Sequence, residues 1–372
     1  MSWVKQTKVN NASRVLWTIW QSSKISRIDI AQRLGLDPST ITNIVSELID
    51  QRLVDEIEEG EGSRQGGRKP ILLSIAKDFG YVIGIELQPT SFIALATDLS
   101  GEILHRVSGP GAFRESNLVD AMAILYQQLQ TEFAGITWPL IGIGVGVSGL
   151  VDPINGVILS SQPLNILEPT SLARELSQRL GVPIHLENDA NCCAWGELAF
   201  HKSQNLQDFL FALVEFRSDA ISHHDAGGLG IGFGVVLDGK VRHGKEYTAG
   251  EFRSVFASSP SRSQLALPNE EVSTVVTNTL AQDKVVRELC SNIALMVNTF
   301  SLNQVIFGGA IEGFQVDTPA LMWKAIRDNW TYGNNPDVTI RYSSLGTEAV
   351  AYGAAGMIID HLMVTSQVLA RR

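Results

Sequence analysis

The sequence predicts an α/β protein in which a small N-terminal winged helix-turn-helix precedes two similar lobes with a cleft between them. Two amphipathic helical segments separated by a glycine lie within residues 25–54. From residue 81 onward, short apolar runs alternate with segments of helical periodicity, which is typical of α/β folds. A second set of such runs begins near residue 208, and this repetition favours two lobes with a ligand cleft between them.

Residues 25–54 have the pattern of a helix-turn-helix. Residues 27–34 predict a short amphipathic helix, and Gly35 suits the left-handed position that ends such a helix. Asp37 is then a natural N-cap for a second helix, with Pro38 at its first position. The spacing therefore predicts two short helices joined by a tight turn. An ordinary helical hairpin within a larger core is the alternative interpretation.

The second helix of this motif carries the surface that we expect to meet DNA. Its apolar residues recur at three- and four-residue spacing and face inward: Ile41, Ile44, Val45 and Leu48. The small polar residues left outside near its start suit base edges and phosphates: Ser39, Thr40, Thr42 and Asn43. We expect Arg27, at the start of the first helix, to add a further DNA contact.

A β-hairpin wing follows the two helices. Leu53 and Val54 look like the start of a strand, residues 55–66 like an acidic, glycine-rich tip, and residues 71–75 like a return strand. A glycine beside Arg and Lys lets backbone and guanidinium enter a narrow minor groove, so we expect DNA contacts from Arg64, Arg68 and Lys69. A solvated linker is the alternative. The predicted winged helix, residues 1–76, is called the reader below.

The charge of the reader limits how tightly one copy can bind DNA. The net charge of −10 lies mainly elsewhere, since residues 1–80 hold 11 Lys and Arg against 10 Asp and Glu. Before the wing, residues 1–52 hold seven basic and four acidic residues. This small positive excess predicts modest non-specific affinity and dependence on dimerisation. We therefore expect a homodimer or homotetramer on a double-stranded DNA operator.

Composition favours a protein of the reducing cytoplasm. Its three cysteines are too few and too irregularly spaced for a disulfide framework: Cys192, Cys193 and Cys290. No run of about 18 apolar residues indicates a membrane span, and the N-terminus has no apolar signal region. With 44% hydrophobic residues, the chain can bury a large core in two or three domains.

After residue 76 the pattern indicates two lobes of alternating strands and helices. In the first lobe we expect strands at 81–87, 92–98, 102–107, 140–147 and 183–186, and helices at 118–133, 171–180 and 192–199. In the second we expect strands at 208–215, 230–237 and 304–307, a helix at 285–302 and a solvated inserted loop at 217–226. The predicted domains are 1–76, then 77–198 completed by a C-terminal helix within 349–372, then 199–348 with the oligomerisation surface.

Six motifs, taken in chain order, resemble those of one known family. They are Gly-Arg-Lys-Pro at 67–70, Val-Ser-Gly-Leu-Val-Asp at 147–152, Glu-Asn-Asp-Ala-Asn at 187–191, Gly-Leu-Gly-Ile-Gly-Phe-Gly at 228–234, Ala-Gly-Glu at 249–251 and Phe-Gly-Gly-Ala at 307–310. The chain resembles the ROK family of sugar kinases and sugar-responsive repressors, in particular its xylose and N-acetylglucosamine repressor branch. The resemblance implies a ribonuclease H-like pair of lobes, of the actin and hexokinase type, with a sugar in the cleft.

The predicted sugar site centres on Asn188 and Asp189, which follow a strand and precede a helix. A carboxylate and an amide there can hold adjacent sugar hydroxyls, because one accepts hydrogen bonds and the other both donates and accepts. The resemblance implies that Asp189 matches the base of the kinase members and that Glu251 and Asn165 match residues beside the sugar. Gly149 would allow close backbone approach, or form a simple turn. A helix cap is the alternative for Asp189.

Two departures from the family's kinases argue against catalysis. Where kinases carry Asp-x-Gly-x-Thr, residues 86–90 are Glu-Leu-Gln-Pro-Thr, so that proline removes an N–H and the small residues are lost. Where kinases carry Gly-Thr-Gly, residues 228–230 are Gly-Leu-Gly, so the hydroxyl is lost. We therefore expect no ATP and no phosphoryl transfer, although Asp189 is retained.

A third departure concerns metal. Many ROK members bind zinc through the histidine of Gly-Glu-Ile-Gly-His and a later cysteine cluster. Here residues 250–254 are Gly-Glu-Phe-Arg-Ser, and residues 255–271 contain no cysteine or histidine, so we expect no zinc and no other cofactor. Ser254 also replaces a histidine that would contact the sugar, so the resemblance does not fix which sugar binds.

The leading hypothesis is a DNA-binding transcriptional regulator, a repressor of carbohydrate uptake or catabolism genes. A sugar or sugar derivative between the lobes would control it, through unequal affinity for two states of the lobes. A ROK-type sugar kinase with an appended DNA-binding domain is the alternative. A scaffold that binds another protein is a third possibility.

Overall fold

A winged helix precedes two α/β units, each built on a five-stranded sheet, so the predicted fold class is confirmed. The computed structural model describes residues 3–59, 70–201, 206–216, 228–258 and 264–364. Arg64, Arg68, Lys69 and the predicted loop at 217–226 lie outside these residues, as does the end of the predicted C-terminal helix. The two α/β units together are called the body below.

The reader contains three helices and a small sheet. Its helices are α1 (Trp3–Ser22), α2 (Arg27–Leu34) and α3 (Pro38–Asp50). Its antiparallel strands lie in the order β1 (Ile25–Ser26), β3 (Ile71–Ile75) and β2 (Val54–Glu59). Gly35 ends α2 with a φ of 62°, and the Asp37 carboxylate caps α3 by accepting from the Ser39 N–H at 2.8 Å. The predicted turn between the two helices is therefore confirmed.

The first sheet of the body is mixed. Its strand order is β10 (Ile184–Asn188), β7 (Leu140–Val147), β4 (Tyr81–Leu87), β5 (Ser91–Asp98) and β6 (Ile103–Pro110). The first three strands are parallel, and the last two continue from β4 as an antiparallel meander. The helices α4 (Leu118–Glu132) and α5 (Leu172–Leu180) share a hydrophobic core with this sheet. A two-stranded hairpin, β8 (Leu150–Asp152) and β9 (Val157–Ser160), follows β7.

The second sheet repeats the topology of the first. Its strand order is β15 (Thr339–Tyr342), β14 (Gln304–Gly309), β11 (Phe209–Phe216), β12 (Leu229–Leu237) and β13 (Lys240–Val241). Again three parallel strands are extended by an antiparallel meander. The helices of this unit are α7 (Asn269–Val272), α8 (Thr279–Phe300) and α9 (Thr318–Asp328). The same strand order in both units explains the repetition in the sequence.

Two helices, α6 (Asp189–Phe200) and α10 (Ala349–Val364), join the two sheets. α10 lies on β4 and β7 of the first sheet, and α6 lies on β12 of the second. The helices cross at Gly353, where an added Cβ would lie 1.7 Å from the Cys192 carbonyl oxygen. A side chain at Gly353 would therefore force the two helices, and with them the two sheets, apart.

Two helices begin earlier than the sequence predicts. α8 begins at Thr279 rather than at residue 285, because the Asn278 side chain accepts from the N–H groups of Leu280 and Ala281. α6 begins at Asp189 rather than at residue 192, because Asn188 caps it. The predicted domain boundaries stay predictions. Across the described residues, no helix combines the length and the apolar character that a bilayer crossing requires.

Gly353→Ala tests the helix crossing. Alanine normally stabilises a helix interior, but here its methyl would collide with the backbone of α6. We expect the free energy of unfolding, measured by urea titration, to fall by about 3 kcal/mol. Gly313→Ala is the control, since an added Cβ there meets nothing within 4 Å. Equal stability of the two variants would contradict the crossing.

Candidate functional site

The outer face of α3 offers the polar surface that the sequence predicts. Ser39, Thr42 and Asn43 are exposed and Thr40 is half-buried. The inward residues predicted for this helix are all buried: Ile41, Ile44, Val45 and Leu48. The hydroxyl of Thr42 donates to the Pro38 carbonyl at 2.8 Å, which leaves its oxygen available as an acceptor.

Arg27 is engaged within the reader. Its Nη2 lies 2.7 Å from Oε1 of Glu56 in β2, in an ion pair that is partly exposed. The pair ties the start of α2 to the wing and offsets part of the positive charge of Arg27. The predicted contact between Arg27 and DNA stays a prediction, as do those of the α3 residues.

The reader shares its hydrophobic core with the body. Trp20 of α1 is buried, and its indole donates to the Leu99 carbonyl oxygen at 3.1 Å. Trp17 donates to the Asp360 carboxylate of α10 at 3.2 Å. The same apolar cluster continues from α1 and α3 into α10. A displacement of α10 would therefore alter the packing of α1.

Asn188 and Gly149 meet at the mouth of the cleft between the two sheets. The Asn188 amide donates to the Gly149 carbonyl oxygen at 3.0 Å, and its oxygen accepts from the Asn191 N–H at 3.1 Å. Gly149 has a φ of 116°, a conformation that favours glycine. An amide has four hydrogen-bonding positions, so these two contacts leave Asn188 further capacity for a ligand. Asn188, rather than Asp189, is the cap of α6.

Asp189 lies between two other carboxylates. It lines a small cavity between the sheets together with Glu86 at the end of β4 and Glu215 in β11. Glu86 is 5% exposed and accepts from the Gln88 amide at 2.6 Å. Burial, together with the charge of Asp189, raises the pKa of Glu86 to about 7. The charged form of Glu86 is therefore disfavoured at this point of the cleft.

Glu251 and Asn165 lie at the edges of this region. Residue 251 pairs through its backbone with Gly232 of β12, where an added Cβ would lie 3.2 Å from the Ala190 methyl. The backbone of Glu251 therefore lies beside a strand that contacts the start of α6. Asn165 is exposed with a φ of 56°, and the preceding Leu164 lines the cavity. The structure brings Asn188, Asp189 and Gly149 together, and the sugar contacts of all five residues stay predictions.

The sequence did not reveal the contacts of Glu187. Its side chain is 1% exposed, and its Oε1 accepts from the Asn188 N–H at 2.9 Å and the Asn191 amide at 3.2 Å. Its Oε2 lies 2.7 Å from Nε2 of His243 and 3.3 Å from Nε1 of Trp195. Burial lowers the pKa of His243, but the hydrogen bond and charge of Glu187 outweigh burial, so the pKa is raised. His243 follows β13, so this pair joins the two units.

The described residues bring together no group of three His, Cys, Asp or Glu side chains that could hold a metal ion. Ser254, at the position of the family histidine, is buried and accepts from the Asn292 amide at 3.1 Å. That hydrogen bond fixes Ser254 to α8. The predicted absence of zinc stays a prediction of the sequence.

The fold and this cleft define a winged-helix protein with a two-lobed body. Residues 82–258 match the ROK family, and residues 10–56 match the MarR family. These matches confirm the resemblance to the ROK family that the sequence predicts.

Curated relatives carry the names of repressors. The xylose repressor of Bacillus spizizenii is 25% identical over 95% of this chain and 96% of its own length. The xylose repressor of Staphylococcus xylosus is 31% identical over 65% of this chain. The DNA-binding transcriptional repressor Mlc of Escherichia coli is 24% identical over 64%. The chain spans only 59% and 56% of the lengths of the last two proteins.

Solved structures share the fold. A ROK family transcriptional regulator, described as a homologue of E. coli Mlc, superposes with a TM-score of 0.76 over 98% of both chains at 21% identity. A ROK family glucokinase from Streptomyces griseus, in complex with glucose and AMPPNP, gives 0.54 over 75% of this chain and 99% of its own, also at 21% identity. The glucokinase covers less of this chain, whereas the regulator covers nearly all of it.

Glu86→Gln tests the charge of the cleft. The folded pKa of Glu86, about 7, lies above its ordinary value of 4.5, so this group's contribution to stability is full below pH 4.5 and is lost as pH rises through 7. Glutamine removes the charge and still accepts from Gln88. We expect the variant to exceed the wild type in free energy of unfolding by about 2 kcal/mol at pH 8, and by less at pH 5.5.

The matched control is Glu132→Gln, which removes an exposed carboxylate from α4. It should leave the difference between pH 5.5 and pH 8 as in the wild type. An unchanged pH dependence in Glu86→Gln would show that Glu86 is not buried as a charge beside Asp189.

Proposed function

We propose that the protein is a sugar-responsive transcriptional repressor of carbohydrate uptake or catabolism genes. The observation that carries the proposal is the joining of two parts: a winged helix with a polar recognition face, and a ROK body whose cleft presents Asn188 and Asp189. Both parts share one hydrophobic core. Relatives named xylose repressor and Mlc support the same conclusion.

The polar face of α3 fits the major groove of DNA. In helix-turn-helix proteins the second helix enters the groove with its N-terminal residues at the base edges, which here are those beginning at Ser39. The reader carries little excess positive charge, so one copy gains little from phosphate contacts. We therefore propose a homodimer or homotetramer that reads two half-sites of an operator, in the cytoplasm where such DNA lies.

A sugar is proposed to bind beside the start of α6. Asp189 accepts hydrogen bonds from hydroxyls, Asn188 both donates and accepts, and Glu251 closes the site from the second unit. D-xylose is the first candidate, because several relatives are named xylose repressors. Binding changes operator affinity to the extent that the sugar favours one lobe arrangement over the other.

Sugar phosphorylation is the second candidate function, because the ROK fold includes glucokinases and Asp189 is retained. Three carboxylates, Glu86, Asp189 and Glu215, line the cavity beside Pro89, where the kinase motif would hold phosphate. Pro89 itself lacks the N–H with which that motif would hold phosphate. We therefore propose that the protein is not an enzyme and uses neither ATP nor zinc.

Asn43→Ala tests the recognition helix. A side chain that reads a base contributes about 1–3 kcal/mol, so we expect the operator Kd to rise about tenfold. The operator would be the DNA beside the protein's own gene, measured by fluorescence anisotropy. Asn335→Ala changes an exposed asparagine of the body and should leave the Kd within about twofold. Equal affinity of both variants would place the DNA contact elsewhere.

Asp189→Asn tests the sugar site. Hydrogen bonds to a charged group contribute about 1.5–3 kcal/mol, so we expect the sugar Kd from calorimetry to rise at least about tenfold. Operator affinity without sugar should stay within about twofold. Asp120→Asn, which removes an exposed carboxylate of α4, is the control. Sugar-dependent ATP turnover in the wild type that the Asp189 variant loses would instead establish the kinase.

A further inference from the structure

Helix α6 runs from the cleft to the surface that faces the reader. It begins at Asp189, and its twelve residues span about 18 Å. Midway along it, Trp195 lines a cavity between body and reader together with Trp17 and Trp20 of α1. The cavity has a volume of about 890 Å³, and the half-buried Trp195 ring lies between it and the hydrophobic clusters against which α6 packs.

One carboxylate oxygen contacts both the His243 imidazole and the Trp195 ring. Oε2 of Glu187 lies 2.7 Å from the His243 imidazole but 3.3 Å from the Trp195 indole nitrogen. The shorter contact is a charge-assisted hydrogen bond and the stronger of the two. Glu187 is almost fully buried, so its charge depends on these donors for compensation. If one donor is lost, the Glu187 carboxylate therefore depends more strongly on its hydrogen bond to the other.

His243 belongs to the second unit, whereas Glu187 and Trp195 belong to β10 and α6. The His243 carbonyl accepts from the Ala249 N–H at 3.1 Å, which closes a loop that leads directly to Glu251. A sugar that draws Glu251 toward Asp189 would thus also hold His243 against Glu187. Withdrawal of the His243 loop would leave Oε2 to Trp195.

We propose that the Glu187 carboxylate couples the cleft to the reader. Its Oε2 is shared by His243 and Trp195 in this structure and passes to Trp195 alone when the His243 loop withdraws, and the Trp195 ring carries this difference to the cavity beside α1. Trp195 is a positioning residue, since it touches neither sugar nor DNA. The inference rests on the proposed function, because it supplies the step between sugar binding and the change in operator affinity.

Trp195→Phe tests the coupling, since it removes the indole N–H and keeps an aromatic ring. The probes are D-xylose, D-glucose and N-acetyl-D-glucosamine, and the readout is the operator Kd with and without each. If a sugar changes the operator Kd of the wild type tenfold, we expect it to change the operator Kd of Trp195→Phe less than threefold. The Kd values for sugar alone and operator alone should stay within twofold. Trp138→Phe, in the first unit, should couple as the wild type.

Two outcomes of this experiment have different meanings. Full coupling in Trp195→Phe would overturn the relay and leave the proposed function intact. A wild-type operator Kd that none of the three sugars changes would count against the proposed function itself. The relay has a second readout that requires no sugar.

That readout is the fluorescence of Trp195. The chain has seven tryptophans, so its signal is the difference between the wild type and Trp195→Phe. Because the pKa of His243 is raised above 6.5, we expect this difference to titrate with a midpoint above pH 6.5. In His243→Gln this titration should vanish. There the Trp195 signal is the difference between His243→Gln and the His243→Gln/Trp195→Phe double variant.

Other charged and titratable groups line the same cavity: Arg14, Arg33, His201, Asp238, Lys240 and Asp360. Burial raises the pKa of Asp360 only to about 6. Burial raises the pKa of Cys192, which faces Glu187, so its thiol stays neutral. All of these groups remain in His243→Gln. A titration that persists unchanged in His243→Gln, or is absent from the wild type, would overturn the relay.

Discussion

The arrangement of the cleft depends on the buried carboxylate of Glu187. An ionised carboxylate removed from water costs several kcal/mol unless its surroundings compensate. Four donors do so: the Asn188 backbone, the side chains of Asn191 and Trp195 on α6, and His243 from the second unit. No donor can withdraw without leaving the charge less compensated. The residues that present Asn188 and Asp189 are therefore fixed by the same group that joins the two units.

The second constraint is the common core of reader and body. Reader and cleft would respond independently if a flexible linker alone joined them. Here Trp17 and Trp20 of α1 hydrogen-bond to the body, and the apolar surfaces of α1, α3 and α10 form one cluster. α10 in turn crosses α6 at Gly353, so the helix that supports the reader is packed closely against the helix that begins at the cleft. This continuous packing is a physical route from a ligand in the cleft to the reader.

Local signals in the sequence sufficed where local physics decides the structure. The Asp37 cap predicted the turn of the reader, and the alternation of strands and helices predicted all five strands of the first sheet and the three central strands of the second, but not its edge strands β13 and β15. The sequence did not reveal α1, because its buried face meets Leu99 and Asp360, 79 and 343 residues away from its tryptophans. Likewise Asn188 and Asp189 stood out at a strand–helix junction. The contact of Glu187 with His243, 56 residues away, exists only once the second unit is folded.

One protein is proposed to bind both a sugar and an operator, each of which changes the affinity for the other. Thermodynamic linkage requires this coupling to be reciprocal. The most direct measurement is the sugar Kd of the wild-type protein, free and saturated with operator DNA. The sugar Kd should change on the operator by the same factor by which saturating sugar changes the operator Kd. An identical sugar Kd with and without operator would contradict the claim.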